Sequence, residues 1–430
     1  MNPALLSLAF ALALVASLLV KTWLATRQIR YVARHRAAVP EPFGGKITLE
    51  SHQKAADYAV AKLRFGITTA TVETAVLVGW TWLGGLDALN RGVWQLVGPA
   101  WNGLAYELVL FGAFTLVGAA IDLPFELWRI FRIEERFGFN KMTLSLFFTD
   151  LVKQTALGVA LGAPLLALVL WLMHAAGALW WVWAWGAVSA WMIAFLFVKP
   201  LVIDPLFNKF EPLPDGPVVE RARALMERCG FHAQGFFVMD GSRRSGHGNA
   251  HFTGFGASKR VVFFDTLLER LDADEIEAVL AHELGHFRHH DVPKRIVLML
   301  ALYLAGFALL GWLTHQVGFY AGLNVMINPF APNDALALLL FTLALPPFMY
   351  FVTPLLAAWS RHAEYRADAY ARSHASAADL VRALVKLQDD NKATLTSDPV
   401  FTRFYYSHPP TPARIAALGV PATALAGAAA

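Results

Sequence analysis

Seven apolar stretches run in series along this chain of 430 residues, each about as long as a bilayer core requires. They span 4–24, 65–86, 103–121, 155–173, 177–198, 296–320 and 336–359. One such stretch could be a buried core helix, but seven in series describe a polytopic membrane protein. The fourth and fifth carry no charge, while the second and third carry Glu73 and Glu107. The seventh contains Pro346, Pro347 and Pro354. Membrane helices tolerate proline where neighbours re-satisfy the freed backbone groups, and a kink is expected there. No basic residue precedes the first stretch, so it does not read as a cleaved leader. Composition agrees: 57% of residues are hydrophobic and 16% charged, against about a quarter charged for soluble domains. A disordered chain and a collagen-like chain are thereby excluded, and an ordinary cytosolic enzyme is disfavoured. The single cysteine, Cys229, excludes an intrachain disulfide and a cysteine-rich zinc module.

The basic residues fall almost entirely on one side of this series. Of the 36 Lys and Arg, 35 lie in segments that alternate to one face, and only Arg91 lies on the other. The positive-inside rule then puts the N-terminus outside and the C-terminus in the cytoplasm. The net charge of +4 thus belongs to loops facing anionic lipid, and no nucleic-acid partner is expected. The chain divides into four parts: 1–198 with five spans and their cytoplasmic loops, a polar block at 199–295, two further spans at 296–359, and a cytoplasmic segment at 360–430. In the polar block the spacing predicts an amphipathic helix over 218–229, short strands over 235–239 and 260–264, and an extended stretch over 249–255. A helix is expected over 273–290, capped by Asp272 or Asp274.

That last helix contains His282-Glu283-Leu284-Gly285-His286. Histidines at i and i+4 share one helical face, so two imidazoles can reach one ion. Zinc would lower the pKa of a water to ~7, and Glu283 would accept its proton. Composition alone produces such a pattern about 0.02 times in a chain like this. The long metzincin continuation fails at His289 and Val292. His289 and His290 read as solvated groups at a helix end. A third ligand must come from elsewhere, and Ser360-Arg361-His362-Ala363-Glu364-Tyr365-Arg366-Ala367-Asp368 offers one. Glu364 and Asp368 stand one turn apart on the same face. Glu364 is expected to bind zinc and Asp368 to hold a ligand imidazole by its far N–H. The topology agrees, because the chain crosses the membrane twice after His286 and returns to the same side.

Together with Glu135–Lys141, Pro205–Phe210, Asn249-Ala250-His251-Phe252-Thr253-Gly254-Phe255-Gly256 and Tyr406-Ser407-His408-Pro409-Pro410, these motifs resemble the CAAX prenyl protease 1 family of integral membrane zinc metalloproteases. The resemblance runs through most of the chain. It implies a mainly α-helical protein whose seven transmembrane helices enclose a chamber capped by a cytoplasmic gluzincin-like domain with a small β-sheet. It implies one zinc ion per chain and cleavage near the C-terminus of a protein substrate, prenylated in the family. It further implies that Asn249 and Ala250 bind substrate as an edge strand, that His408 faces the scissile carbonyl, and that Arg414 helps position substrate. His251 stands where the family pattern has Tyr or Phe. The compact, Ala-rich chain reads as bacterial, which would place it in an inner membrane. A quality-control protease would use the same site on unprenylated chains. A transporter or channel would leave the metal constellation idle.

Overall fold

The computed structural model describes residues 1–98, 103–231, 234–245, 250–253 and 260–420. Six helices among them are long and apolar enough to cross a bilayer: Pro3–Arg34, Leu104–Phe137, Leu144–Ala175, Gly177–Phe207, Asp291–Leu313 and Asp334–His374. The remaining expected span lies on Leu49–Trp80, whose 32 residues rise about 48 Å and suffice to cross. That helix is less apolar, and it ends at Trp80 rather than at 86. Gly84, at φ 75°, supplies a left-handed turn there, and a separate helix, Gly85–Val97, follows. The span expected to reach 320 stops at Leu313, before the short helix Val317–Gly322.

We label the principal helices α1 (Pro3–Arg34), α2 (Leu49–Trp80), α3 (Gly85–Val97), α4 (Leu104–Trp128), α5 (Leu144–Ala175) and α6 (Trp180–Val198). Then come α7 (Pro217–Arg228), α8 (Ala273–Arg288), α9 (Asp291–Leu313), α10 (Asp334–Ala344) and α11 (Thr353–His374). The chain closes with α12 (Ala377–Asp390), α13 (Pro399–Tyr405) and α14 (Thr411–Leu418). The expected break in the seventh span is present. Between α10 and α11 stand a single turn at Pro346–Met349 and a 3₁₀ turn at Tyr350–Val352. Pro346, Pro347 and Pro354 lack the N–H that a continuous helix needs, so the helix restarts, and α11 then runs on beyond the apolar stretch.

The membrane helices bury their side chains most deeply at one end. Phe10, Leu86, Tyr106, Leu170, Trp180, Leu310 and Leu336 belong to one apolar core near the ends opposite the polar block. By contrast, no residue between 111 and 132, or between 151 and 168, is buried. A packed membrane helix hides one stripe of side chains against its neighbours. Along these stretches the side chains are half-buried or exposed, with Phe111, Ala113, Phe114 and Leu166 half-packed against that core. Glu73, Asp122 and Glu126 line a cavity of about 670 Å³ between α2 and α4, as intramembrane carboxylates must if they are to avoid lipid. Glu107 behaves differently. It is 3% exposed and accepts the Ala335 N–H at 2.9 Å, so its carboxylate satisfies the first turn of α10.

The polar block folds around a second core that contains Leu225, Phe263, Ile276, Leu280, Leu284, Val381 and Ile415. Its four-stranded sheet uses β1 (Phe210–Pro212), β2 (Gly235–Met239), β3 (Ala250–Thr253) and β4 (Arg260–Phe264). The order is β1-β2-β4-β3, with β2 and β4 parallel and the outer pairs antiparallel. Strands β2 and β4 match the expected bounds, and β3 lies within the extended stretch expected over 249–255. Asn249 lies outside the described residues. Helix α8 starts at an Asp272 cap that bonds the Glu275 N–H at 2.9 Å, while Glu275 bonds back to the Asp272 N–H at 3.0 Å. This reciprocal box contributes about 1 kcal/mol and fixes where the helix begins, hence the rotational phase of its histidines. The membrane loops grip this domain directly. Arg244 forks onto Asp150 of α5 and donates to Asn208, and Asn140 bridges to Ser245.

Candidate functional site

Helix α8 crosses α11 at unusually close range, and Gly285 makes that possible. A Cβ at 285 would stand 2.8 Å from the Ala367 Cα, so the pair Gly285 and Ala367 is a contact surface between two backbones. The approach brings Glu364 of α11 against both histidines of α8. His282 Nε2 lies 3.4 Å from one Glu364 oxygen, and His286 Nε2 lies 3.5 Å from the other. With one atom taken from each residue, the three candidate ligand atoms lie within 4.8 Å of one another, close enough to converge on one metal ion. His282 and Glu364 are buried, and the two imidazole planes stand at 87°. Glu364 Oε2 is buried and accepts no hydrogen bond, which is costly unless a cation partners it. The donor set of two imidazoles and one carboxylate thus fits a metal on its own chemistry.

The far nitrogens of both rings are occupied, which turns each Nε2 inward. His282 Nδ1 is 2.9 Å from Asp368 Oδ1, and His286 Nδ1 is 3.0 Å from Asp291 Oδ2. Burial would lower the pKa of both rings, but the carboxylates around each one prevail and hold it above the usual histidine value. Glu283 is half-buried beside His282, and its charge acts on both rings.

Asp291 is a site residue that sequence reasoning missed. It lies five residues after His286, off the helical face, where periodicity assigns it nothing. Helix α8 ends at Arg288, and His290 adopts a left-handed conformation at φ 54°. That turn begins α9 and swings Asp291 back under His286, where Arg366 of α11 also reaches it at 2.7 Å. The residues read as solvated, His289 and His290, form this turn. Asp291→Ala is expected to weaken metal binding by about 10–100-fold, measured by competition with a chelator. Unchanged affinity would show that Arg366 and the helix packing suffice to hold His286.

Arg414 sits behind the site. It is 8% exposed, and its fork takes both Asp368 oxygens, through Nε at 2.8 Å and Nη2 at 2.5 Å. His282, Asp368 and Arg414 therefore form a relay from ligand to buried guanidinium. His408 comes from the turn after α13. Its Nε2 is 3.2 Å from Glu364, and its Nδ1 is 3.0 Å from the Ser407 hydroxyl. The ring is exposed, yet the protein around it removes hydration and, with the Arg414 charge, lowers its pKa, while Glu364 acts in the opposite direction. A cavity of about 430 Å³ is lined by His408, Arg414, Gln388, Thr394 and Tyr406. Of the residues expected to bind substrate, Ala250 lies on the end strand of the sheet.

Comparison with known proteins agrees with this arrangement. Residues 28–209 match the family described as CAAX prenyl protease N-terminal, five membrane helices, and residues 212–422 match peptidase family M48. A CAAX prenyl protease 1 homolog of Oryza sativa is 32% identical, covering 90% of this chain and 92% of its own. CAAX prenyl protease 1 of Saccharomyces cerevisiae is 32% identical over 94% and 93%, and a human homolog is 31% identical over 93% and 92%. The solved structure of S. mikatae Ste24p superposes with a TM-score of 0.88 at 30% identity, covering 97% of this chain and 99% of that one. The rice, yeast and human relatives are eukaryotic, so they lend no support to the expected bacterial inner membrane.

Proposed function

The chain belongs to peptidase family M48 as a membrane metalloprotease of the CAAX prenyl protease 1 type, and from that premise we propose that it uses one zinc ion, held by His282, His286 and Glu364, to cleave near the C-terminus of prenylated proteins. The observation that carries this reading is the convergence of those three ligand atoms, all within 4.8 Å of one another, beside Glu283. Zinc, when bound there, supplies the Lewis acidity that polarises the scissile carbonyl and acidifies a water.

The protein's own groups do the rest. Substrate adds as a further strand to β3 at Ala250, and Asn249, outside the described residues, is the second residue assigned to substrate binding. Glu283 accepts the proton of the attacking water and returns it to the leaving amine. His408 donates Nε2–H to the oxyanion as charge develops. The Ser407 hydroxyl at Nδ1 is compatible with that tautomer, since a hydroxyl can donate to the unprotonated nitrogen. Asp368 and Asp291 hold the ligand rings, and Arg414 keeps Asp368 ionised and oriented. Arg414 thereby acts on substrate position through the metal site, its fork being taken up by Asp368. The division into 1–198, 199–295, 296–359 and 360–430 is part of this reading: the second and fourth parts build the site, and the first and third hold it at the membrane.

The direct test is mass spectrometry of products from farnesylated and unmodified peptides incubated with the purified, zinc-loaded protein. Release of a C-terminal fragment from the farnesylated peptide alone supports the proposal. Equal cleavage of both favours a quality-control protease, and no cleavage of either removes the endopeptidase reading. For His408, substitution by Ala is expected to lower kcat by about 10²–10³-fold with zinc retained and KM little changed. A rise in KM alone would make it a binding residue.

The metal site is proposed to face the cytoplasm, since the segments carrying it hold most of the basic residues. Reporter fusions at Asn90, Gly177 and Asn328 should then read as external, and one at Ala430 as cytoplasmic. A cytoplasmic signal at Gly177 would reverse the assignment.

A further inference from the structure

The motif around Glu364 contains one cation with no part in the chemistry so far. Arg361 sits on α11 one turn before Glu364 and is partly buried. Its Nη1 donates to the Tyr406 carbonyl at 2.6 Å and lies 3.4 Å from the Thr402 carbonyl. The Thr402 carbonyl already accepts the Tyr406 N–H at 3.0 Å as the last turn of α13 closes, and both carbonyls lie at the C-terminal end of that helix, where the dipole favours a cation. Tyr406 is the C-cap of that helix and already extended, at φ −77° and ψ 117°. Two residues later the chain reaches His408, and Pro409 and Pro410 stiffen the backbone on its C-terminal side.

We propose that Arg361 is a positioning residue for His408: it locks the end of α13 to the helix that carries Glu364, so that metal ligand and oxyanion donor keep a fixed separation. The proposal rests on the reading of His408 given above. Helix α13 has a separate anchor at its other end. Asp398 caps its first turn through the Val400 and Phe401 N–H groups, and Arg27 of α1 forks onto Asp398. The helix is therefore a short strut between a membrane helix and the metal helix, and Arg361 is the joint nearest the chemistry. A carbonyl taken at 2.6 Å by a guanidinium leaves little freedom for the turn two residues on. The geometry also explains why Arg and Glu stand three apart in the motif. That spacing puts both on one face of α11, with the cation toward α13 and the carboxylate toward α8.

The test is a double-mutant cycle with Arg361→Met and His408→Ala, scored for kcat, KM and zinc content. Displacing a catalytic group by about 1 Å costs up to ~10²-fold. Arg361→Met is therefore expected to lower kcat by ~10–100-fold with zinc content and KM unchanged, and by less than ~3-fold when His408 is already Ala. Arg361→Lys, which can reach one carbonyl, should recover part of the loss. Amide exchange gives a readout independent of turnover: Tyr406 to His408 should exchange faster in Arg361→Met, with or without zinc, while α11 near Glu364 does not. Losses that simply add, or a loss of zinc in Arg361→Met, would overturn the proposal while leaving the protease reading intact. A silent His408→Ala would overturn both the oxyanion role and this one. If Arg361→Met fails to accumulate, Arg361→Lys carries the same cycle.

Discussion

Glu283→Gln is expected to retain zinc and lose hydrolysis. The amide keeps the shape and much of the hydrogen bonding of the acid but cannot accept a proton at neutral pH. None of the three ligand atoms is touched, and neither is Asp368 or Asp291, so the metal stays. Loss of a positioned general base costs about 10²–10⁴-fold in kcat. The cost should fall in the upper half of that range, because Glu283 serves twice, first taking the proton from water and then delivering it to the leaving amine. Elemental analysis and peptide turnover on the same preparation decide it. Full zinc with turnover above a tenth of wild type would mean that another group is the base. Loss of zinc would mean that Glu283 is a ligand.

Glu364→Ala is expected to lose both zinc and turnover. The carboxylate is 2% exposed and bridges toward both imidazoles, at 3.4 and 3.5 Å, so nothing else in the described site can replace it. Removing a supporting partner costs about 10–100-fold in metal affinity, and removing a ligand should exceed the upper figure. Dialysis against a weak chelator should therefore strip the variant and leave wild type loaded. Glu364→Asp tests reach as well as charge: the shorter chain withdraws the oxygens by more than 1 Å, so affinity should fall between the two. Normal zinc and normal turnover in Glu364→Ala would place the third ligand elsewhere.

The two predictions come from differently legible parts of the chain. His282, Glu283 and His286 were visible because their spacing is a property of a single helix. Glu364 was visible only by need, since two ligands required a third on the same side of the membrane. Asp291 was not visible. It acts through a left-handed turn at His290, and no periodicity registers one residue leaving the helical region. The resemblance alone points Arg414 toward substrate, and its contact with Asp368 is visible only in the fold. The sequence offered Arg361 only as a letter in a motif, because its partners are backbone carbonyls at Thr402 and Tyr406, and backbone groups are the same at every residue. Among the acids in the spans, Glu107 and Glu73 looked alike. Only the packing separates a carboxylate that caps α10 from one that lines a cavity.

By itself, the sequence determined that the chain spans a membrane repeatedly, that its basic residues gather in alternating segments of that series, and that one helix carries two histidines at metal-ligand spacing. These conclusions rest on one-dimensional quantities: run length of apolar residues, placement of charge, and helical period. The tertiary structure alone decided that Gly285 lets α8 and α11 approach until Glu364 meets both rings. It also decided that Asp368 and Asp291 lie against the far nitrogens of His282 and His286, with Arg414 behind Asp368. Those are relations between segments dozens of residues apart. Side-chain packing and hydrogen-bond satisfaction set them, and both depend on distances through space that spacing along the chain does not contain.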